Sequence, residues 1–371
     1  MLDRLSADQR RCPVRGWRNR VTAAVTIAVA TIAFTACDRR ARPDSARLLT
    51  DPRLRRVSIG LREEDRPDAT LGRIMAARLS ESGRHVVVLD FVAPYVKVFN
   101  ARGRFERSFV RSGSGPGEVR FPRSLAVSGD TAILVADASG RMISFGMDGR
   151  LRAETTEPRM QALAVTAGCS DDWFVYGPRY PRAEPGVHTP TWLHRVRIER
   201  DGGLTAQDAL RDSLTSDIIP SGVAYGLISD PEGATVWHTL GREDLLATWR
   251  CDEPEPSRLT SRDAVERPRG TPSLTGGERF TIRPGARSRG GIAGLRSGVV
   301  IAEGIVGKRA GTATTEFTLR RADGTIRIAT LPGYYDLRDS RPGVGVLVST
   351  TDPVPHVFLV SEAELLALFP P

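Results

Sequence analysis

Histidine and cysteine are the residue types best suited to bind a metal or act as nucleophiles, but their spacing in this chain favours neither role. The sequence contains no HxH, HExxH or CxxC motif, the spacings that bring two ligands to one metal ion. It also lacks Gly-x-Ser-x-Gly, the sharp turn that exposes a nucleophilic serine. We therefore predict no metal, no cofactor and no assignable catalytic residue, although histidines from separate repeats could still meet in the folded protein. The five histidines are His85, His188, His194, His238 and His356.

A glycine-rich segment at residues 111–122, RSGSGPGEVRFP, could carry a different chemistry. Its three glycines could press backbone NH groups against a phosphate, or they could allow a sharp turn between two sheets. A phosphate-binding loop would be followed by a helix and, in a Walker loop, by Lys and Ser or Thr. Here Val-Arg-Phe-Pro and a strand-like run follow instead. The sequence therefore favours a turn.

Residues 1–36 have the composition of a secretory signal peptide. Six arginines precede an uncharged run of 15 residues at positions 21–35, which is shorter than the ~20 residues of a membrane-spanning helix. Residues 34–37, Phe-Thr-Ala-Cys, resemble a bacterial lipobox, whose cysteine receives a diacylglycerol. We predict a lipoprotein signal peptide at 1–36, lipidation at Cys37 and a linker at 37–54. An ordinary secretory signal with a chance cysteine is the alternative. We predict a membrane-anchored lipoprotein of the cell envelope that faces the periplasm or the exterior.

Charge and the remaining cysteines constrain the partners. The signal peptide holds six of the 53 basic and two of the 44 acidic residues, which leaves the mature chain with a net charge of +5. No run of basic residues interleaved with aromatic residues is present, so a nucleic-acid partner is not expected. Cys169 and Cys251 remain in an oxidising compartment. They could form a disulfide bond, and two buried free thiols are the alternative.

A strand–turn–strand unit recurs along the chain. Residues 84–105 and 130–151 are two copies, with Phe99 and Phe145 46 residues apart. Each copy has an apolar strand, an Asp-led turn, an alternating strand ending in Phe and a Gly-centred turn. Six units of about 55 residues predict an all-β fold at residues 55–371, a six-bladed β-propeller of four-stranded antiparallel blades. Looser copies lie at 172–202, 234–249, 299–324 and 345–360.

Residues 86–151 resemble the NHL-repeat-like six-bladed propeller family of bacterial envelope proteins. The resemblance rests on the Gly-x-Gly-Pro-Gly-Glu…Phe-Pro crossing and on the paired Val-Leu-Asp and Val-Ala-Asp strands. It covers about 65 residues, and residues 205–295 depart from it most. It implies the fold more than an activity.

Two segments of the mature chain have a helical pattern. Residues 71–80 could form one or two helical turns, and residues 361–369 predict a short C-terminal helix. Aspartates that lead the turns could bind calcium, but hairpin capping is the simpler expectation. These turn aspartates are Asp90, Asp137, Asp148 and Asp201.

Ligand contacts are predicted on one face, where the crossings between blades meet the turns after each second strand. The segment at residues 177–190 is longer than its counterparts, and long loops on one rim often carry function. A solvated, proline-stiffened loop is the alternative. The candidate ligand-binding residues are Tyr95, Arg123, Arg141, Tyr180, Arg182, His188 and Lys308.

The sequence thus predicts a lipid-anchored propeller that binds or scaffolds a peptide, a glycan or a partner protein. An envelope lyase or hydrolase with a metal-assisted site in the central channel is the alternative. A signalling input domain is a third interpretation, and it would need a separate partner. An enzyme would place convergent His, Asp or Glu side chains at the axis.

Overall fold

The regular secondary structure of the computed structural model is almost entirely β-strand in the residues it describes. The chain divides into two compact units, residues 1–43 and 44–371, and every described residue belongs to the second. No helix in this described part is long and apolar enough to cross a membrane. The described residues are 56–60, 69–168, 172–180, 191–199, 201–211, 225–230, 233–240, 243–253, 257–260, 287–306, 313–321, 323–350 and 355–369.

The strands form successive antiparallel sheets of four, numbered here along the chain. Sheet 1 contains β2 (Ile74–Leu79), β3 (His85–Asp90), β4 (Val96–Asn100) and β5 (Phe105–Phe109), and is preceded by β1 (Arg56–Ile59). Sheet 2 contains β6 (Pro122–Ser128), β7 (Ala132–Asp137), β8 (Arg141–Gly146) and β9 (Leu151–Thr156). Sheet 3 contains β10 (Ala164–Ala167), β11 (Trp173–Arg179), β12 (Thr191–Ile198) and β13 (Leu204–Arg211).

The second half of the chain continues the same pattern. Sheet 4 contains β14 (Tyr225–Asp230), β15 (Gly233–Leu240), β16 (Glu243–Arg250) and β17 (Ser257–Thr260). Sheet 5 contains β18 (Arg287–Leu295), β19 (Gly298–Val306), β20 (Ala313–Arg321) and β21 (Ile326–Pro332). Sheet 6 contains β22 (Asp336–Arg341), β23 (Gly345–Thr350), β24 (His356–Val360) and, from the other end of the chain, β1. One parallel bridge, Gly291 to Leu337, joins sheets 5 and 6.

Each sheet is buried because alternate residues of its strands face different neighbours. In β3, Val86 and Val88 share a core with Leu347 of sheet 6. Val87 and Leu89 point the other way, into a core shared with sheet 2. A strand covered on both faces gains from apolar residues at every position, each contributing about 1.5–3 kcal/mol on burial, which explains the uninterrupted apolar run that marks the repeat.

The first strands of the sheets contact one another in sequence. β2 contacts β6, β6 contacts β10, β10 contacts β14, and β14 contacts β18. β18 contacts β22, and β22 returns to contact β2 of sheet 1. Because the first and last sheets touch in this way, the described strands form a continuous cycle of contacts.

The structure decides the two helical predictions differently. Residues 74–79 form strand β2, so the prediction of helical turns there is wrong. The apolar residues of that segment pack on both neighbouring sheets, and this packing overrides local propensity. At the C-terminus the predicted helix is confirmed as α1 (Glu362–Leu366). Ser361 caps it, accepting a hydrogen bond from the backbone NH of Glu364 while the Glu364 side chain accepts from the backbone NH of Ser361.

The turn aspartates cap backbone NH groups, as predicted. Asp137 accepts a hydrogen bond from the backbone NH of Ser139 at 2.7 Å, and Asp148 and Asp201 accept equivalent bonds two residues ahead. Asp90 does more, because it also accepts from the backbone NH groups of Gly72 and Arg73, both at 2.8 Å. Its charge is balanced by Lys97, whose Nζ lies 2.7 Å away in the interior. The aspartate therefore ties the start of β2 to the end of β3.

Cys251 is disulfide-bonded, which excludes the free thiol that was one alternative for it. Cys169 lies outside the described residues. The carbonyl oxygen of Cys251 lies 3.3 Å from Arg195 Nη1, and Arg195 Nε donates to Asp172 at 2.7 Å. The turn after β16, which holds the bonded cysteine, therefore contacts strand β12 of sheet 3.

Candidate binding face

One face of the described structure is built from crossings between sheets and from turns after each second strand. Hydrogen bonds join the two kinds of segment. The backbone NH of Phe91 donates to the carbonyl of Arg73 at 2.9 Å, and that of Ala138 donates to the carbonyl of Phe121 at 3.0 Å. These bonds place the two segments of sheets 1 and 2 at the same end of their strands. We call this surface, residues 70–73, 91–95, 111–123 and 138–141, the crossing face.

The glycine-rich crossing is held by the protein's own groups. The backbone NH of Gly113 donates to the Val119 carbonyl at 3.1 Å, and that of Gly115 donates to the Glu118 carboxylate at 2.9 Å. The NH of Gly117 donates to Glu154 at 3.0 Å, and Gly117 has a φ of +72°, which favours glycine. All three donors that could have bound a phosphate are occupied, so the interpretation of this segment as a turn is confirmed.

Arg141 fixes this crossing to sheet 2. Its Nη1 donates to the Glu118 carbonyl and its Nη2 to the Gly115 carbonyl, both at 2.7 Å. Its Nε donates to Glu154 at 2.8 Å, in an ion pair that is largely shielded from solvent. A guanidinium with these partners has its donors directed into the protein. The geometry therefore makes Arg141 a support for the crossing face, although the sequence suggested a ligand contact.

Apolar side chains project from the crossing face. Phe91 is 47% exposed, Val92 54% and Phe121 61%. Phe91 and Val92 lie in the turn after β3, and Phe121 immediately precedes β6. Because β2 and β6 are neighbours and start at this same end, these side chains occupy adjacent sheets of one surface.

Four arginines share the crossing face with these apolar side chains. The guanidinium carbon of Arg73 lies 5.7 Å from the centre of the Phe91 ring, a cation–π arrangement. Arg73, Arg111, Arg120 and Arg123 are all exposed. No carboxylate in the described part of the chain forms an ion pair with any of these four. No acidic side chain in the segments of the crossing face is exposed either, because Asp90 and Asp137 are buried caps and Glu118 is half-buried.

The predicted site residues fall in different environments. Arg123 is exposed on the crossing face at the start of β6. Tyr95 is only 7% exposed and packs in the core between sheets 1 and 2, so its ring does not lie open to a ligand. Tyr180 is half-buried at the equivalent turn of sheet 3, where its NH donates to the Arg159 carbonyl. Arg182, His188 and Lys308 lie outside the described residues.

The sequence analysis missed Arg73, Phe91, Arg120 and Phe121. Phe91 and Phe121 were placed in the loop segments of this face, at residues 91–95 and 112–123, but neither was singled out as a ligand contact. The available signal was position: each aromatic residue lies in a turn or crossing, outside the strand that it adjoins, and Phe121 also directly follows Arg120.

His194 belongs to a polar network on sheet 3 and is fully buried. Its Nδ1 lies 2.9 Å from Asp208 Oδ1 and its Nε2 lies 2.9 Å from the Gly177 carbonyl oxygen, so both ring nitrogens are engaged. Burial alone would raise the pKa of Asp208, but hydrogen bonds from His194 and Arg179 and their charges lower it to about 2. The network thus joins β11, β12 and β13, and this histidine has no nitrogen left for a metal.

The inner strands carry a different polar cluster, centred on Arg78 of β2. Arg78 is almost completely buried and donates to the carbonyls of Ala77, Arg338 and Val165, which belong to sheets 1, 6 and 3. Burial lowers the pKa of Arg78, the buried charge of Asp339 opposes that effect, and Arg338 and Arg341 reinforce it. The buried cation between the first strands is thus the Arg78 guanidinium. A metal-assisted site at this position would instead need carboxylate or imidazole ligands. Among the described residues, no group of three His, Cys, Asp or Glu could hold a metal ion.

No family model matches the chain, and no curated protein sequence matches it. Among solved structures, a Bacteroides fragilis protein assigned as exported matches with a TM-score of 0.54 and 12% identity, over 84% of this chain and 95% of its own. Hydrazine synthase from Kuenenia stuttgartiensis has a TM-score of 0.47 and 10% identity, over 83% and 82%. The β-propeller domain of Cps50 from Myceliophteria thermophila has a TM-score of 0.45 and 12% identity, over 78% and 97%. The four-stranded antiparallel sheets are those of a β-propeller, and the Bacteroides structure shares its fold over most of both chains.

Proposed function

We propose that the chain folds as a closed six-bladed propeller and serves as a binding module for a partner protein in the cell envelope. Six sets of four strands, with β1 completing the last, support the blade count. Closure is supported by the cycle of contacts between first strands and by the core that sheets 6 and 1 share. A closed ring leaves no sheet face open, and its loops are then free to bind.

The envelope location rests on the signal peptide and on Cys37, both outside the described residues. A cysteine after a short apolar run and a small residue is the acceptor arrangement for a lipid, and a linker at 37–54 would separate the anchor from the propeller. The Bacteroides protein that shares the fold is assigned as exported, which agrees with this location.

Replacing Cys37 with alanine should move the protein from the membrane fraction to the soluble envelope fraction. The thiol is the only attachment point for the diacylglycerol, and losing an acyl anchor removes about 0.8 kcal/mol of membrane affinity for each buried methylene. Fractionation and mass measurement of the intact protein check this. Cys251→Ser is a control that should leave the lipid mass in place. An unchanged distribution of Cys37→Ala would refute lipidation at this residue.

The binding function is carried by one observation: exposed aromatic side chains share the crossing face with four exposed arginines that form no ion pair with the described carboxylates. Aromatic residues and arginine are the side chains enriched at the centres of protein interfaces. The crossing that carries Phe121 is held in one conformation by the hydrogen bonds of Arg141, Glu154 and the glycine NH groups. A preformed surface of this kind loses little conformational entropy when it binds.

A photo-crosslinking amino acid at position 121 should give discrete adducts with a partner protein in intact cells. The same group at position 326 is the matched control, because Ile326 is also exposed but starts β21, at the end of sheet 5 away from its crossings. Adding Phe91→Ser to the position-121 variant should reduce the adduct yield several-fold, since interface aromatic residues contribute about 1–4 kcal/mol. Identical adduct patterns at the two positions, or none at 121, would contradict a binding role for this face.

A further inference from the structure

We propose that the crossing face recognises an acidic segment of its partner, one in which carboxylates alternate with apolar side chains. This rests on the proposed binding function and names the chemistry of the partner. Four exposed arginines lie on the face, and its segments carry no exposed carboxylate. A surface of one sign is complementary to a partner of the other sign.

The opposite end of the same two sheets supports this argument, because its charges are mixed. Arg84 there pairs with Asp130 at 3.4 Å, Arg150 pairs with Asp148 at 3.5 Å, and Glu81 is exposed. The chain is rich in arginine throughout, so composition alone would have given both ends the same character. The unbalanced charge is therefore a property of the crossing face.

The positions of the arginines suit a partner in which carboxylates lie next to apolar side chains. Arg73 lies over the ring of Phe91, which orients its planar guanidinium and leaves its edge for a bidentate acceptor. Arg120 and Arg123 flank the exposed Phe121 along the chain. Each aromatic side chain thus has a cation next to it, so a segment that alternates carboxylates with apolar side chains matches both features.

A protein segment fits this face better than a membrane surface does. The exposed apolar residues are few and are separated by arginines over two sheets, whereas interfacial insertion needs a continuous apolar face. Arginine also binds carboxylates in a fixed geometry, while a lipid surface requires only charge. Binding to a membrane is therefore treated as an alternative result of the experiment below.

The experiment measures fluorescence anisotropy of three labelled peptides with the full-length protein in detergent. The peptides share alternating leucines and carry glutamate, serine or lysine between them. We expect the glutamate peptide to bind at least about 10-fold more tightly than the others, with an affinity that falls as salt rises from about 0.05 to about 0.5 M. Anionic vesicles containing phosphatidylglycerol are tested in parallel.

Variants assign the binding to this face. Arg120→Glu with Arg123→Glu should weaken binding of the glutamate peptide by about 10-fold or more. Arg104→Glu with Arg150→Glu makes the same change in charge on exposed arginines at the opposite end, and binding should be unchanged. Circular dichroism and melting temperature confirm that each variant is folded.

Three results would overturn the inference. In the first, the serine and glutamate peptides bind equally well, and binding is lost in Phe121→Ser but not in the arginine variants. This result would mean that the face binds apolar side chains without regard to the charge of the peptide. No preference for the glutamate peptide would refute the acidic segment, while position-121 adducts would still support a partner of other chemistry. Vesicle binding lost in the Arg120/Arg123 variant, without binding of the glutamate peptide, would assign the face to the membrane.

Discussion

Replacing Arg78 with methionine should lower the free energy of unfolding by about 3–5 kcal/mol, the usual cost of removing one partner from a buried charged cluster. The side chain is almost completely buried and hydrogen-bonds to carbonyls of three different sheets. Without it, those carbonyls lose a donor and the fully buried Asp339 loses a compensating positive charge. Equilibrium denaturation by urea measures the change.

A second substitution separates the lost charge from lost packing. Asp339 Oδ2 accepts a hydrogen bond from the backbone NH of Leu79 at 2.8 Å, and asparagine can keep that bond. Arg78→Met combined with Asp339→Asn should therefore cost less than the sum of the single changes, because no uncompensated carboxylate remains. Arg84→Met, on an exposed side chain, should change stability by less than about 0.5 kcal/mol. Two results would contradict the role given to Arg78: stability changes of the single variants that are strictly additive in the double variant, or a loss of less than about 1 kcal/mol in the free energy of unfolding of Arg78→Met.

The fold was predictable to the extent that it is encoded by local patterns. The runs at β3 and β7, the aspartates after them and the glycine turns recur because every sheet must bury two faces and turn tightly. The crossing at residues 111–122 was predicted for the same reason, since its glycines and proline are local requirements. Residues 71–80 were not, because a segment with helix-forming residues becomes strand β2 only through contacts with two other sheets.

The site was less predictable because the role of a polar side chain depends on partners far along the chain. Arg141 was placed on the correct face, but its donors are used by carbonyls 23 and 26 residues earlier. Asp90 was predicted to cap a hairpin, and the structure adds two amides 17 and 18 residues away. Neither partnership has a signature in the local sequence. Phe91 and Phe121 were placed in the loops of this face but not singled out, since the exposure of a loop aromatic residue depends on how the sheets pack around it.

Strand β1 was not predicted as an element, and its removal should be highly destabilising. It pairs with β24 through Arg56–Val360, Val57–Leu359, Ser58–Phe358 and Ile59–Val357. Its partner strand lies about 300 residues away in the sequence, so no local turn or repeat motif predicts the pairing. Ile59 is fully buried in the core that sheets 6 and 1 share. Truncating this side chain to alanine should lower the free energy of unfolding by about 2–5 kcal/mol, because it leaves a cavity in that core.

A pair of truncations tests the pairing itself. A chain beginning at residue 51 keeps β1 and should unfold at the same temperature as the full protein. One beginning at residue 61 exposes the edge of β24, and it should melt at least several degrees lower and aggregate through the unpaired strand. Adding a synthetic peptide of residues 50–60 should partly restore the melting temperature, since an added strand can pair with a free edge. If the two truncations were equally stable, the proposed ring would not depend on β1. The proposed closure would then have to come from the contacts of β2 with β22 and β23.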